Sequence, residues 1–212
     1  MIERILSKPV EINLAKWKAF GDKYCDDGNY VIDDTNRFAI INCLKWLQGE
    51  PFEQYTIGDG GKKKGNPNKG LYIGGKCGRG KSIFVKILRD YAQDLGVSFK
   101  IKDKQIKANW VPQNATTFTD RYMNGDTLSD EKERAILNIE DLGIEPISSQ
   151  YMGNKSEVLK NLIEYRADTD NITIITSNIR PDILKDRYGQ RVVSRCKALN
   201  YMVINGEDRR ES

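Results

Sequence analysis

Residues Gly75, Lys76, Cys77, Gly78, Arg79, Gly80, Lys81 and Ser82 follow the pattern G-x-x-x-x-G-K-[ST], directly behind the apolar run Leu71–Ile73 and ahead of a helix-like stretch. Glycines in such a loop let successive backbone N–H groups turn inward, and the start of the following helix adds partial positive charge. The product is a cradle for a polyanion such as the triphosphate of ATP. In that reading Gly75, Cys77, Gly78, Arg79, Gly80, Lys81 and Ser82 bind nucleotide. Lys81 reaches the β and γ phosphates, the Ser82 hydroxyl ligates Mg²⁺, and the missing Cβ at Gly80 leaves room for the ligand. Cys77 sits among basic neighbours at a helix start. It is either a thiol of lowered pKa or simply a small residue the loop tolerates.

A second set of polar residues lies where other apolar runs end. ILNIEDLG is a strand-like run closing on two carboxylates, about sixty residues after the lysine. One carboxylate of such a pair holds the metal and the other polarises water. Position assigns Glu140 to the Mg²⁺ shell and Asp141 to the hydrolytic water, an inversion of the usual Asp-then-Glu order. NITIITSN ends in Thr176, Ser177 and Asn178, where the Asn178 amide can orient water beside a γ phosphate. Further on, Arg191 and Arg195 fall four residues apart on one helical face, with no acidic residue in that segment spaced to pair with both. Spacing alone leaves two readings: arginines offered to a neighbour's phosphate, or an ordinary solvated face.

These residues need a scaffold that gathers strand ends. Apolar runs at 71–73, 97–101, 135–139, 171–178 and 201–204 alternate with helical patterns, such as Ile83, Phe84, Ile87, Leu88 and Tyr91, or Val158, Leu159, Leu162 and Ile163. The alternation predicts an α/β fold with a five-stranded parallel sheet, whose ligands bind at the strands' carboxyl ends. In VSFKIKDK apolar residues alternate with lysines, which predicts an edge strand. Upstream, Asp33, Asp34 and Thr35 are placed to cap a helix carrying Ile40, Cys43, Leu44 and Leu47 on one side. The stretch from Gly49 to Gly70, rich in Gly, Pro, Asn and Lys, reads as a loop. It divides the chain into an N-terminal extension and linker, 1–60, and an ATPase domain, 61–212.

Totals set the outer bounds. A chain of 212 residues with 39% hydrophobic and 30% charged residues suits one soluble α/β core. No histidine is present and the four cysteines form no CxxC pair, which argues against a zinc site or a histidine-based triad and points to reduced thiols in the cytoplasm. Acidic residues early in MIERILSKPVEINLAKW argue against a signal peptide or membrane span. Net charge is only +4, so any hold on nucleic acid must come from clustered lysines. Lys62, Lys63 and Lys64, and Lys100, Lys102, Lys104 and Lys107, are the candidates. For the first three a solvated charge run is the favoured reading, and no aromatics are obviously interleaved with either group in sequence.

Taken in order, KGLYIGGKCGRGKS, ILNIEDLGIEP, LIEYRAD, ITIITSN, RYGQRVVSR and INGEDRR resemble the motifs of the DnaC/DnaI-type helicase loaders, AAA+ P-loop ATPases related to the IstB transposition ATPases. The likeness spans roughly residues 69 to 210. It implies that the Asn178 strand lies between the P-loop strand and the Glu140 strand. It makes Asn178 a sensor I residue and Arg195, with Arg191 next, the arginine finger. It also matches Arg166 to an arginine ending the helix after the Glu140 strand, and Arg210 to a terminal G-x-D-x-R. No C-terminal helical lid is expected, since only two residues follow Arg210. The implied partners are a replicative helicase, single-stranded DNA and further copies of the chain assembled by ATP, with no membrane. Glu140 departs from the family's usual aspartate, and no cysteine-rich zinc module precedes the motifs. A transposition ATPase, a small-molecule kinase and a low-turnover nucleotide-binding module remain as alternatives.

Overall fold

The computed structural model describes residues 2–8, 11–101, 103–169 and 171–206. The chain forms β1 (Glu3–Ile5), α1 (Leu14–Asp22), α2 (Arg37–Gln48), β2 (Glu53–Tyr55), β3 (Lys62–Lys64), β4 (Leu71–Gly74) and α3 (Lys81–Asp94). It continues through β5 (Ser98–Ile101), β6 (Lys104–Lys107), β7 (Pro112–Asn114), α4 (Ala115–Met123), α5 (Ser129–Glu133) and β8 (Ile136–Glu140). Last come β9 (Ser149–Tyr151), β10 (Asn154–Ser156), α6 (Val158–Ala167), β11 (Ile172–Ser177), α7 (Lys185–Lys197) and β12 (Asn200–Val203).

Five strands build the central sheet in the order β12-β4-β11-β8-β7, all parallel. Alternation along each strand sends side chains to two faces. Leu71 and Ile73 of β4, with Ile172 and Ile174 of β11, pack beneath Trp46, Phe84 and Leu88 of α2 and α3. Tyr72 and Ile175 point the other way, into Leu159, Leu162, Val192 and Cys196 of α6 and α7. Both faces are covered, which is what a parallel sheet requires. The N-terminal residues share the first of these cores: Trp17 of α1 lies 5.0 Å from the Phe84 ring, and the Tyr91 hydroxyl donates to the Glu11 carbonyl at 2.8 Å. Among the described residues no helix is long and apolar enough to cross a membrane.

Three local expectations are corrected. The 97–101 run does bury Phe99 and Ile101 and expose Lys100, but β5 is neither a member of the parallel sheet nor an edge. It is the middle strand of a separate antiparallel sheet, β1-β5-β6, with Ile106 opposite Phe99. The link to β6 is far too short for a parallel crossover, which takes a dozen residues or more. The fifth parallel strand is instead β7, three residues beginning with proline, which an edge position tolerates. The supposed loop 49–70 contains the hairpin β2–β3, with Glu53 opposite Lys64 and Tyr55 opposite Lys62. Gln54 fastens this hairpin to the edge of the main sheet, accepting from Tyr201 N at 2.9 Å and donating to Asn200 Oδ1 at 3.3 Å. Finally, α2 begins after Asn36 without a side-chain cap. Asp33 spends its carboxylate on the Thr35 N–H (2.9 Å), one turn too early to cap, although Ile40, Cys43, Leu44 and Leu47 are fully buried as their spacing predicts.

A candidate nucleotide site at the carboxyl ends of the strands

The glycine loop leaves β4 at Gly74 and enters α3 at Lys81. Gly75 has φ +156° and lies so close to the chain's last strand that a Cβ would come 2.3 Å from the Ile204 carbonyl oxygen. Gly78 (φ 74°) and Gly80 (φ 80°) take left-handed conformations that side chains resist. No side chain caps the first turn of α3, so its N–H groups face the loop as donors for an anion. Lys81 is only 5% exposed; its ammonium donates to the Lys76 carbonyl at 2.9 Å and to Asn178 Oδ1 at 2.6 Å. Cys77 is exposed, and the Nε and Nη1 atoms of Arg79 are buried without a hydrogen-bond partner. A concave backbone ringed by donors in excess of acceptors fits a polyphosphate.

Strand β8 carries Glu140 to the same edge, next to Asn114 of β7 and one strand away from Asn178. Burial pushes the Glu140 carboxyl above its usual range and Asp141 adds to this, while the charge of Lys86 and a hydrogen bond from the Ser82 hydroxyl pull it down. One of its oxygens, Oε1, is buried with no partner. An orphaned carboxylate oxygen beside a serine hydroxyl is the donor set a hard cation such as Mg²⁺ prefers, so Ser82 and Glu140 fit the metal role assigned to them. Among the described residues Asp141 is one of four non-glycine residues with positive φ, 53°. Such a conformation costs about 1–3 kcal/mol and has to be held. The end of β11 holds it: Asp141 N donates to Thr176 Oγ1 (3.0 Å), Leu142 N to the Thr176 carbonyl (2.9 Å), and Ser177 Oγ to the Leu142 carbonyl (2.6 Å). The polar tail of ITIITSN therefore divides its work: Thr176 and Ser177 shape the acidic turn, while Asn178, exposed, meets Lys81.

Sequence reasoning missed the support behind this turn. Glu145, 2% exposed, accepts from Gly143 N at 2.9 Å and from the Tyr188 hydroxyl, and Arg187 reaches both its carboxylate (3.6 Å) and its backbone carbonyl. Burial and the Glu145 charge push the Tyr188 phenol up. The network ties the acidic turn to the start of α7, whose helical path breaks at Gly189 (φ 80°, ψ 170°). The E of IEP five residues after Glu140 was visible in the sequence, but its partners lie 42 and 43 positions away.

Arg191 and Arg195 lie elsewhere. Contrary to the expectation from their own segment, both have acidic partners, supplied by α6: Glu164 at 3.8 Å from Arg191 and Asp168 at 3.1 Å from Arg195. Arg195 stands near the end of α7, just before β12 starts alongside Leu71. It lines a cleft of about 220 Å³ with Lys69, Gly70, Arg166 and Asp168, at the strand starts. The glycine loop follows the strand ends, so a strand length of four residues, about 13 Å, separates Arg195 from the level of the loop. That exceeds the reach of its side chain, and Arg195 therefore cannot complete the phosphate site of its own chain. Arg166 is fully buried and structural: its guanidinium donates to the carbonyls of Glu131, Arg134 and Ile172, each at 2.7 Å, and burial lowers its pKa to about 10. Arg210 and Lys102 lie outside the described residues.

No protein-family model matches the sequence, and no curated protein matches it significantly. Solved structures do match. The DnaI crystal structure is 19% identical and aligns over 96% of this chain and 94% of that one, with a TM-score of 0.55. The DnaC helicase loader is 18% identical over 91% of this chain and 99% of that one, TM-score 0.56. AMPPCP-bound DnaA from Aquifex aeolicus is 16% identical over 86% of this chain but only 50% of the other, TM-score 0.55. At these identities the likeness is one of fold: the α/β fold with a parallel sheet is shared with DnaI, the DnaC helicase loader and DnaA.

Proposed function

We propose that the chain is an ATP-binding and ATP-hydrolysing helicase loader, which assembles a replicative helicase on single-stranded DNA in the cytoplasm. The observation that carries this reading is the division of the phosphate-handling residues. Lys81, Ser82, Glu140, Asp141 and Asn178 gather at the carboxyl edge of the sheet, while Arg195 lines a cleft at the opposite edge, with Arg191 one helical turn before it. A site split in this way is completed by a second copy, so ATP bound to one chain recruits the arginine end of the next. The fold supports the same reading, being shared with DnaI, the DnaC helicase loader and DnaA.

In the proposed cycle the loop amides and Lys81 hold the β and γ phosphates, and Ser82 and Glu140 hold Mg²⁺, which when bound neutralises phosphate charge. Lys81 turns from Asn178 to the phosphates, freeing the Asn178 amide to orient water, and Asp141 accepts that water's proton. Arg195 of a neighbouring copy stabilises the charge developing on the γ phosphate. After hydrolysis that contact is lost and the assembly loosens, which requires only that ATP and ADP favour two assembly states by a few kcal/mol. Residues 61–212 form the ATPase domain in this scheme, with 1–60 as an extension, and Arg210 contributes to nucleotide binding.

Subunit mixing tests the split site. Lys81→Ala and Arg195→Ala are each expected to be inactive alone, and an equimolar mixture to regain part of the wild-type turnover, because one chain supplies the loop and the other the arginine. No recovery on mixing contradicts the scheme. Co-purification with a replicative helicase, dependent on ATP, separates a loader from a transposition ATPase or a small-molecule kinase.

A further inference from the structure

The hairpin β2–β3 lies outside the nucleotide machinery and has no role in the scheme above. Its second strand consists of Lys62, Lys63 and Lys64, all exposed, and its outer edge pairs with no other described strand. A single lysine suffices to discourage edge pairing, so three in a row ask for another explanation. Among the described residues none of the three forms an ion pair, and neither does Lys69 at the foot of the hairpin. The nearby acids do not neutralise them. Glu53 faces Lys64 across the ladder without an ion pair, and Asp59 is taken up by the Thr56 hydroxyl and the Gly61 N–H.

The row also has an aromatic step that the linear sequence hides. Phe38, from the start of α2, and Tyr55, from β2, meet at a tilt of 52° with centroids 4.6 Å apart, and the Lys62 ammonium sits 4.4 Å from the Phe38 centroid. Both rings are half-buried, and Arg37 beside them is exposed. Lys62 and Lys64 project from the same face of the strand, two residues or about 7 Å apart. That repeat is close to the spacing of successive phosphates along an extended nucleic-acid strand. Unneutralised cations at this spacing, with a ring that can meet an unpaired base, match the requirements of single-strand binding. A duplex would engage the lysines but leave the rings without a partner.

We propose that the β2–β3 hairpin is a binding site for single-stranded DNA, with Lys62 and Lys64 on the phosphates and the Phe38–Tyr55 pair against a base. The site extends the loader reading by saying where the strand is held, and it rests on that reading for the choice of DNA. Fluorescence anisotropy of a labelled oligothymidine, titrated with the full chain over a range of salt concentrations, tests it. The triple variant K62Q/K63Q/K64Q is expected to lower the slope of log affinity against log salt by about 1.4, at about 0.7 for each of the two lost phosphate contacts, and to weaken binding at least ~10-fold. Phe38→Leu keeps an apolar side chain but removes the ring; it is expected to weaken binding about fivefold and leave the slope unchanged. K100Q/K104Q/K107Q, which removes equal charge from the β1-β5-β6 sheet, is the control and should leave the slope as in wild type. Thermal denaturation and nucleotide binding without DNA verify that each variant is folded. The site is refuted if the hairpin triple binds as wild type does, if both triples lose affinity equally, or if duplex binds as tightly as single strand and ignores Phe38→Leu. Failure here leaves subunit mixing unaffected, and failure of mixing leaves the anisotropy result standing, so the two ideas fall separately.

Discussion

Replacing Asn178 with alanine should do two opposite things. Without nucleotide, Lys81 Nζ donates to Asn178 Oδ1 at 2.6 Å and to the Lys76 carbonyl at 2.9 Å. In the proposed cycle a phosphate takes the ammonium by displacing the first of these bonds. Hydrogen bonds to charged groups contribute about 1.5–3 kcal/mol. Asn178 is exposed and Lys76 keeps its share of the ammonium, so about 1 kcal/mol is a reasonable discount for this pair, or about fivefold in affinity. ADP presents no γ phosphate for the amide to serve, so Asn178→Ala is expected to bind ADP about fivefold more tightly than wild type. The same variant should lose about 10²-fold in turnover, the usual effect of removing one positioned polar group next to a reacting phosphate. Calorimetric titration with Mg·ADP and a phosphate-release assay measure the two arms. Weaker or unchanged ADP binding would refute the claim that Asn178 competes with nucleotide for Lys81.

Other perturbations probe the rest of the framework. Glu140→Gln removes a carboxylate that burial holds above its ordinary pKa and whose Oε1 has no partner. A group shifted in this direction loses stability for the fold as pH rises from the ordinary glutamate range through its raised value. The variant should therefore melt about 2–4 °C higher than wild type at neutral pH without nucleotide, the shift ~1 kcal/mol gives, and match it in acid. It should at the same time lose Mg²⁺-dependent ATP binding. Gly70→Ala places a Cβ 1.9 Å from the Thr173 carbonyl oxygen, backbone against backbone inside the sheet, and should destabilise by about 3 kcal/mol or prevent folding, as read by chemical denaturation. Asp168→Asn breaks an exposed pair worth about 0–1 kcal/mol, so melting should barely move, while release of Arg195 should promote ATP-dependent assembly in light scattering.

Chain-local patterns were the legible part of this protein. The glycine loop, the apolar faces of α2, α3 and α6, and the placing of the Asn178 strand between the P-loop and Glu140 strands all depend on spacings of a few residues, or on motif order, and appear as expected. What the sequence hid depends on distant pairing. VSFKI alternates like any half-buried strand, and nothing local says that β1, about a hundred residues earlier, pairs with it in place of the main sheet. A polar, proline-led β7 carries almost no strand signal, and the β2–β3 ladder is masked by glycine and lysine. The acidic partners of Arg191 and Arg195 belong to another helix, and the aromatics beside Lys62 to another helix and strand.

In the proposed cycle a triphosphate held in the glycine loop alters how copies of the chain meet. The particle mass in solution, measured with a nonhydrolysable ATP analogue and then with ADP, is the direct test. A larger species with the analogue, absent with ADP and absent for Arg195→Ala, is the predicted result. One unchanged mass under all three conditions, with the analogue bound, would contradict it.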